Sequence, residues 1–133
     1  MPQKLNGKFD MIYGIGTDIV KIDRMRIAAE KWCDGFVEKI LTPGEKSYCY
    51  GKNDPYPSLA VRFAAKEALI KAIGGEIPVR MKDIEVLSDE KGRPFIKVSN
   101  KLEVFFEEKK IIRCHLSLSH EKEFGIAYVV LEV

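Results

Sequence analysis

The chain has few of the residues that mark metal clusters, disulfide frameworks and secreted domains. Its 133 residues include three cysteines, two histidines and one tryptophan. The cysteines, Cys33, Cys49 and Cys114, form no C-x-x-C pair, so neither a zinc site nor a disulfide framework is predicted. An odd number of cysteines without a pattern is typical of a reduced, cytoplasmic protein. Each is expected to be a small buried hydrophobic residue.

Long apolar runs and a strong net charge are also missing. No run approaches the roughly 18–20 apolar residues that span a membrane, so a membrane protein is not expected. Residues 1–10 are polar and contain no apolar core of a secretory signal, which predicts a flexible N-terminal tail. The net charge of +2 comes without a basic block or interleaved aromatics, so nucleic acid is not an expected partner.

The composition is that of one folded domain, which we expect to span residues 11–133. Hydrophobic residues make up 46% and charged residues 32% of the chain. Apolar periodicity, caps and turn residues predict an α+β fold, with a long helix packed on a mainly antiparallel sheet. Helices are predicted over residues 22–33, 35–40, 42–50, 58–73 and 100–110, and strands over 11–20, 83–87, 94–98, 112–119 and 124–133.

The segment from Phe63 to Gly74 is the most informative part of the chain. It is rich in strong helix formers and places Phe63, Glu67 and Lys71 on one line, a turn apart. Such a mixture of aromatic and charged residues is expected at the border of a cleft. The alternative is an ordinary surface ion pair between Glu67 and Lys71, contributing roughly 0.2–0.5 kcal/mol. The segment alone leaves both interpretations open.

A second acidic residue, Asp18, ends a predicted strand that contains Gly14 and Gly16. Glycine weakens a strand unless another backbone or a ligand approaches it closely. The pair is not a dinucleotide-binding fingerprint, because Ile19 stands where the last glycine belongs. Asp18 and Glu67 together would suit Mg²⁺, which takes its remaining ligands from water and substrate phosphates. The alternative for Asp18 is a strand-end or helix-capping role.

A third polar group closes the predicted strand at Ser117-Leu118-Ser119-His120. Its two hydroxyls share one face, and hydroxyls beside an imidazole can bind phosphate. No G-x-S-x-G motif is present, so a nucleophilic serine is not predicted. The alternative is a set of polar residues on a solvated sheet face.

Taken in order, these motifs resemble one family. They are Gly14-Ile15-Gly16-Thr17-Asp18-Ile19-Val20, the Phe63–Gly74 segment, and Leu116-Ser117-Leu118-Ser119-His120, supported by Asp83-Ile84-Glu85-Val86 and Gly92-Arg93-Pro94. The chain resembles the holo-(acyl-carrier-protein) synthases, the small bacterial type of 4'-phosphopantetheinyl transferase. The resemblance runs from Met11 to Val133.

The resemblance implies a transferase of fatty acid biosynthesis. Such an enzyme moves the 4'-phosphopantetheine arm of coenzyme A to a serine of an acidic apo acyl carrier protein. It releases adenosine 3',5'-bisphosphate and requires Mg²⁺. The resemblance also implies a cytoplasmic homotrimer with active sites between neighbouring subunits.

Roles for individual residues follow from the same resemblance. Asp18 and Glu67 are expected to bind the metal, and Glu67, or a water that it orients, to act as general base. Lys71 is expected to meet the pyrophosphate and stabilise the leaving phosphate. The other expected contacts are Arg62 and Lys66 with the nucleotide phosphates, Ser119 and His120 with the 3'-phosphate, Gly92, Arg93 and Pro94 with the adenine region, and Arg24 with the carrier protein.

One segment departs from the family pattern. Residues 75–81 lack a Gly-Thr-Gly-like run, so no nucleotide contact is predicted there. Two other functions fit the residues alone: a non-catalytic oligomeric binding module, and a Mg²⁺-dependent nucleotide hydrolase that uses Asp18 and Glu67.

Overall fold

The protein alternates helices with antiparallel strands, which confirms the predicted α+β class. A computed structural model describes residues 11–133, apart from the side chains of residues 33 and 34; the predicted N-terminal tail and Cys33 lie outside what it describes. The elements are β1 Ile12–Lys21, α1 Ile22–Ile40, α2 Pro43–Tyr50, α3 Tyr56–Ala72, a short 3-10 helix Met81–Asp83, β2 Ile84–Ser88, β3 Pro94–Val98, α4 Asn100–Glu108, β4 Arg113–His120 and β5 Phe124–Glu132.

The strands form two antiparallel sheets. In the larger sheet β5 lies between β1 and β4, whereas β2 and β3 form a separate hairpin. The register sets Asp18 opposite Ala127 and Ser119 opposite Ile126, on the two sides of β5. The polar ends of β1 and β4 are therefore separated by a whole strand.

Helix α3 packs directly on the larger sheet because its inner face is made of small residues. Ala64, Ala68 and Ala72 are buried on this face. A β-carbon on Gly14 would lie 2.0 Å from the carbonyl oxygen of Ala72, and one on Gly16 only 1.8 Å from that of Ala68. Since no side chain fits there, the two glycines serve the contact between backbones. This contact places the end of β1 beside the middle of α3.

Several local predictions can be compared with the structure. The helix predicted from residue 42 is present as α2, and it begins with a capping box in which Thr42 and Glu45 exchange two hydrogen bonds. Two helices were predicted where α1 is continuous through Gly35. The helix predicted from residue 58 begins two residues earlier, at Tyr56, whose N–H donates to the Asp54 carboxylate over 3.1 Å.

Of the two described cysteines, Cys49 is buried as expected, whereas Cys114 is only partly buried. Desolvation raises the pKa of the Cys114 thiol to about 12. Neither is therefore a reactive thiol. Within residues 11–133, no helix combines the length and the apolar character that a membrane crossing requires.

Candidate active site

An open groove of about 680 Å³ runs between the end of β1, helix α1 and helix α3. Asp18 enters it from β1, whereas Phe63 and Glu67 enter it from α3. The structure thus brings together the two acidic residues that the sequence singled out. The remaining walls come from α1 and the strand end: Ile19, Val20, Lys21, Arg24, Met25, Ile27, Ala28, Lys31, Trp32 and Phe36.

Lys71 bridges the two elements that carry the acidic residues. Its ammonium group donates hydrogen bonds to the Asp18 carboxylate over 3.1 Å and to the Thr17 carbonyl over 2.9 Å. The ion pair therefore joins α3 to β1 instead of joining Lys71 to Glu67 within the helix. The Lys71 side chain remains 54% exposed, so a bound anion could reach it.

Glu67 carries a negative charge that its surroundings only partly offset. Burial raises the pKa of its carboxyl group, the negative charge of Asp18 raises it further, and the positive charge of Lys71 acts in the opposite direction. Among the described side chains, none forms a hydrogen bond or an ion pair with this carboxylate. An additional cation in the groove would relieve this excess of negative charge.

The donor set fits Mg²⁺ held jointly by protein and substrate. Two carboxylates face one groove, and both are the hard oxygen ligands that Mg²⁺ prefers. The described residues contain no group of three or more His, Cys, Asp or Glu side chains that could hold a metal ion by themselves. Mg²⁺ usually binds one or two carboxylates and completes its shell with water and substrate phosphates.

Arg62 lies one turn before Lys66 and retains an unused donor. Its side chain is buried, Nη1 donates to the Ser58 carbonyl over 3.3 Å, and Nε has no partner among the described atoms. The guanidinium group stacks on the Tyr48 ring at 4.3 Å, and Lys52 lies over the same ring at 4.9 Å. This cluster of two cations around an aromatic ring was missed in the sequence, although Tyr48 and Lys52 flank the end of α2.

Lys66 does not reach the groove. Its side chain is 0% exposed and its ammonium group pairs with the equally buried Glu45 carboxylate over 2.6 Å. Burial lowers the pKa of Lys66, while the charge of Glu45 opposes that shift. The predicted phosphate contact is therefore wrong for this residue in the folded chain, because its donors are used inside the core.

The remaining predicted residues lie away from the groove. Ser119 and His120 are exposed at the end of β4. Gly92 and Arg93 lie in the turn between β2 and β3, and Pro94 begins β3. Gly92 has a φ of +81°, and the Arg93 N–H donates to the Asp89 carboxylate over 2.9 Å. None of these five residues lines the groove within the same chain.

The chain matches one protein family over most of its length. The family model of the 4'-phosphopantetheinyl transferase superfamily matches residues 14–129. The holo-(acyl-carrier-protein) synthase of Halothermothrix orenii is 47% identical over 123 residues, which cover 92% of this chain and 98% of that protein.

Solved structures give the same result. The crystal structure of holo-(acyl-carrier-protein) synthase from Neisseria meningitidis superposes with a TM-score of 0.86 at 39% identity, covering 92% of this chain and all of that one. The enzyme from Bacillus anthracis, solved in complex with CoA (3',5'-ADP), has a TM-score of 0.74 at 42% identity. The match covers 92% of this chain and 98% of that one.

The chain belongs to the 4'-phosphopantetheinyl transferase superfamily and is an enzyme of the transferase class. Within that superfamily, the relatives that it matches over nearly their whole length are holo-(acyl-carrier-protein) synthases. The family membership and the fold expected from the motifs are therefore confirmed.

Proposed function

We propose that this chain is a holo-(acyl-carrier-protein) synthase of fatty acid biosynthesis. It transfers 4'-phosphopantetheine from coenzyme A to a serine of apo acyl carrier protein and releases adenosine 3',5'-bisphosphate. The observation that carries the proposal is that Asp18 and Glu67 line one groove while Lys71 donates a hydrogen bond to Asp18. Phosphoryl transfer requires positioning and charge neutralisation more than covalent chemistry by the protein. Because the attacking serine belongs to the carrier, the site needs no nucleophile of its own.

Asp18 and Glu67 would hold Mg²⁺, which supplies charge neutralisation at the pyrophosphate when bound. Asp18 is also the partner of Lys71. A metal on Asp18 would free the ammonium group to turn toward the leaving phosphate. Lys71 would then stabilise the charge that develops on adenosine 3',5'-bisphosphate as the bond breaks.

Glu67 is also our candidate for the general base, directly or through an oriented water. A carboxylate whose pKa is raised by burial and by a neighbouring negative charge is a better proton acceptor than an ordinary glutamate. It lies on the wall of the groove, where the carrier serine would enter.

Coenzyme A would bind through cations from more than one surface. The free Nε of Arg62 is a donor without a partner, and leaving such a donor buried costs about 1–3 kcal/mol. A phosphate oxygen of the nucleotide would satisfy it. Ser119 and His120 would contact the 3'-phosphate. The loop at Gly92, Arg93 and Pro94 would pack near the adenine of a coenzyme A molecule bound at a neighbouring subunit.

A homotrimer with active sites between subunits would bring these groups together. The face of the larger sheet turned away from α3 carries Ile15, Ile19, Ile126 and Tyr128, between 42% and 60% exposed. Ile19 and Ile126 are register partners, so the apolar side chains form one patch. A second copy of the chain is the occupant that we propose for it. Sedimentation should give a trimer, and a fully active monomer would contradict this assembly.

Helix α1 offers a surface for the acidic carrier protein. Arg24 is exposed on the groove wall together with Lys21 and Lys31, and the apolar side chains of Ile27 and Trp32 lie between them. Positive charge beside apolar contacts would steer an acidic partner and then hold it.

We place the reaction in the cytoplasm, where its partners would be made.

Mass spectrometry of the carrier tests the proposal. The protein is mixed with coenzyme A, Mg²⁺ and apo acyl carrier protein, and the carrier should gain one phosphopantetheine. The matched control is the Glu67→Gln variant, which keeps the shape of the side chain and removes its charge. An unmodified carrier with intact coenzyme A would favour a binding module, and breakdown of the nucleotide without a carrier would favour a hydrolase.

A further inference from the structure

The buried ammonium group of Lys66 uses every donor that it has. It donates to the Ile40 carbonyl over 2.6 Å, to Glu45 Oε1 over 2.6 Å and to the Met81 carbonyl over 3.1 Å. An ammonium group has three N–H donors, so none is left for a ligand. The side chain therefore has a role inside the subunit.

Its partner Glu45 accepts hydrogen bonds at both carboxylate oxygens. Oε1 accepts a hydrogen bond from the Thr42 N–H over 2.9 Å in addition to the one from Lys66, and Oε2 accepts one from the Val86 N–H over 2.8 Å. We call this set the Lys66 hub: the Lys66 and Glu45 side chains with the backbone groups of Ile40, Thr42, Met81 and Val86.

The Lys66 hub joins two of the three elements that build the groove, α1 and α3. Ile40 is the last residue of α1, whose carbonyl end attracts a cation. Glu45 lies in the first turn of α2, Met81 in the short 3-10 helix and Val86 in β2. Lys66 therefore ties α3 to α1, the opposite wall of the groove, through a single charged group.

Stability alone does not explain a buried pair of this kind. Replacing such a pair by apolar residues of similar size is often neutral or stabilising, because the desolvation of two charges offsets their attraction. What the pair provides is direction, since each hydrogen bond specifies where an atom must lie. By fixing the position of Lys66, these hydrogen bonds also affect where Glu67, the next residue along α3, must lie.

Adjacent helical residues are related by a fixed rotation, so anchoring Lys66 sets the direction of Glu67. At roughly 6 Å from the axis, a turn of about 20° displaces a side-chain end by about 2 Å. Mg²⁺ demands near-ideal geometry with ligands at about 2.0–2.1 Å. A rotation of that size would keep Glu67 and Asp18 from holding one ion together.

We infer that the Lys66–Glu45 pair positions Glu67 for metal binding by fixing the rotation of α3 against α1. This inference rests on the proposed metal site, and the pair itself touches neither substrate nor metal. Glu45 and Lys66 are thus positioning residues.

The test measures Mn²⁺ binding by electron paramagnetic resonance in the presence of coenzyme A, beside the free energy of unfolding. We expect Glu45→Asp, which keeps both charges but shortens the reach, to weaken Mn²⁺ binding at least tenfold. Lys66→Met should do the same, and should lower stability as well. In the charge-balanced double variant Lys66→Met with Glu45→Gln, stability should recover while Mn²⁺ binding stays at least tenfold weaker.

The control is Leu102→Ala, which creates a cavity in the core at α4, away from the groove. It should lower stability without changing Mn²⁺ binding. Binding within twofold of the unmodified protein in Glu45→Asp or in the double variant would overturn the inference. If Lys66→Met fails to fold, Glu45→Asp decides by the same criterion. Equal binding by the unmodified protein and Glu67→Gln would instead overturn the metal site itself.

Discussion

Helix α3 carries two lysine–carboxylate pairs five residues apart, and they have opposite properties. Lys66 and Glu45 are both fully enclosed, whereas Lys71 is half exposed beside Asp18 at the groove. The enclosed ammonium group is saturated by three acceptors, and the open one has two. The enclosed pair therefore suits the positioning role that we infer for it, whereas the open pair leaves Lys71 accessible to the phosphate that we propose it contacts.

The largest effect is expected at Glu67, which stands between the two pairs. Glu67→Gln removes a charged metal ligand and should reduce Mg²⁺-dependent transfer by about 1,000-fold or more, corresponding to about 4 kcal/mol. Transfer is followed by the mass of the carrier protein. Turnover close to normal would contradict the assignment of Glu67 as a metal ligand.

Breaking the enclosed pair should affect folding most. Lys66→Met leaves the Glu45 carboxylate buried without its counter-charge, which should lower the free energy of unfolding by about 3–5 kcal/mol. Urea denaturation measures this change. A loss below 1 kcal/mol would mean that water enters the site or that Glu45 takes up a proton without cost.

Breaking the open pair should give the reverse pattern. Lys71→Met should change stability by no more than about 1 kcal/mol, because an exposed ion pair contributes little. Transfer should nevertheless fall by about 100-fold, since one donor to the developing charge is lost. Urea denaturation would measure the stability of Lys71→Met, and the mass of the carrier protein would measure its rate of transfer. Unfolding as severe as in Lys66→Met would erase the contrast between the two pairs.

The smallest effect is a dependence on pH. The pKa of Glu67 is raised, so this residue takes up a proton at a higher pH than an ordinary glutamate does. Metal affinity should therefore fall as the pH drops through that raised pKa. The stability of the metal-free protein should rise over the same range, because protonation removes an unfavourable buried charge.

Titration of Mn²⁺ binding between neutral pH and about pH 5 would follow this loss of affinity. Glu67→Gln serves as the control, since its metal-free stability should lack the rise. A metal affinity that stays constant across this range would contradict the predicted shift.

The sequence singles out the residues at the groove far better than the enclosed pair, although it does not show that Lys71 pairs with Asp18. Asp18 and Glu67 are recognisable because a carboxylate at a glycine-containing strand end and another within an apolar stripe both need an explanation. Lys66 gives no such signal, since a lysine in a helix is almost always exposed. Its partner lies 21 residues earlier, where the same glutamate already completes a capping box. Only the packing of α1, α2 and α3 shows that one carboxylate serves both purposes.

The fold itself was largely predictable because helix and strand periods are local properties. The strand order β1-β5-β4 was not, because nothing local specifies which strand lies between the others. The continuity of α1 through Gly35 was missed for a related reason. Glycine lowers helix propensity by about 1 kcal/mol, and the buried residues on either side, Ala29 and Val37, offset that cost.

The direct contact between Gly14, Gly16 and the backbone of α3 has a consequence for ion size. No side chain lies between strand and helix at these points, so the backbones of β1 and α3 are in direct contact and cannot move closer together. A cation held between Asp18 and Glu67 would meet a gap set by this closest approach of the two backbones. Such a gap favours a small ion with short bonds over Ca²⁺, whose bonds are about 0.3–0.5 Å longer. The spacing between the backbones of β1 and α3 would then make the site selective for Mg²⁺ over Ca²⁺.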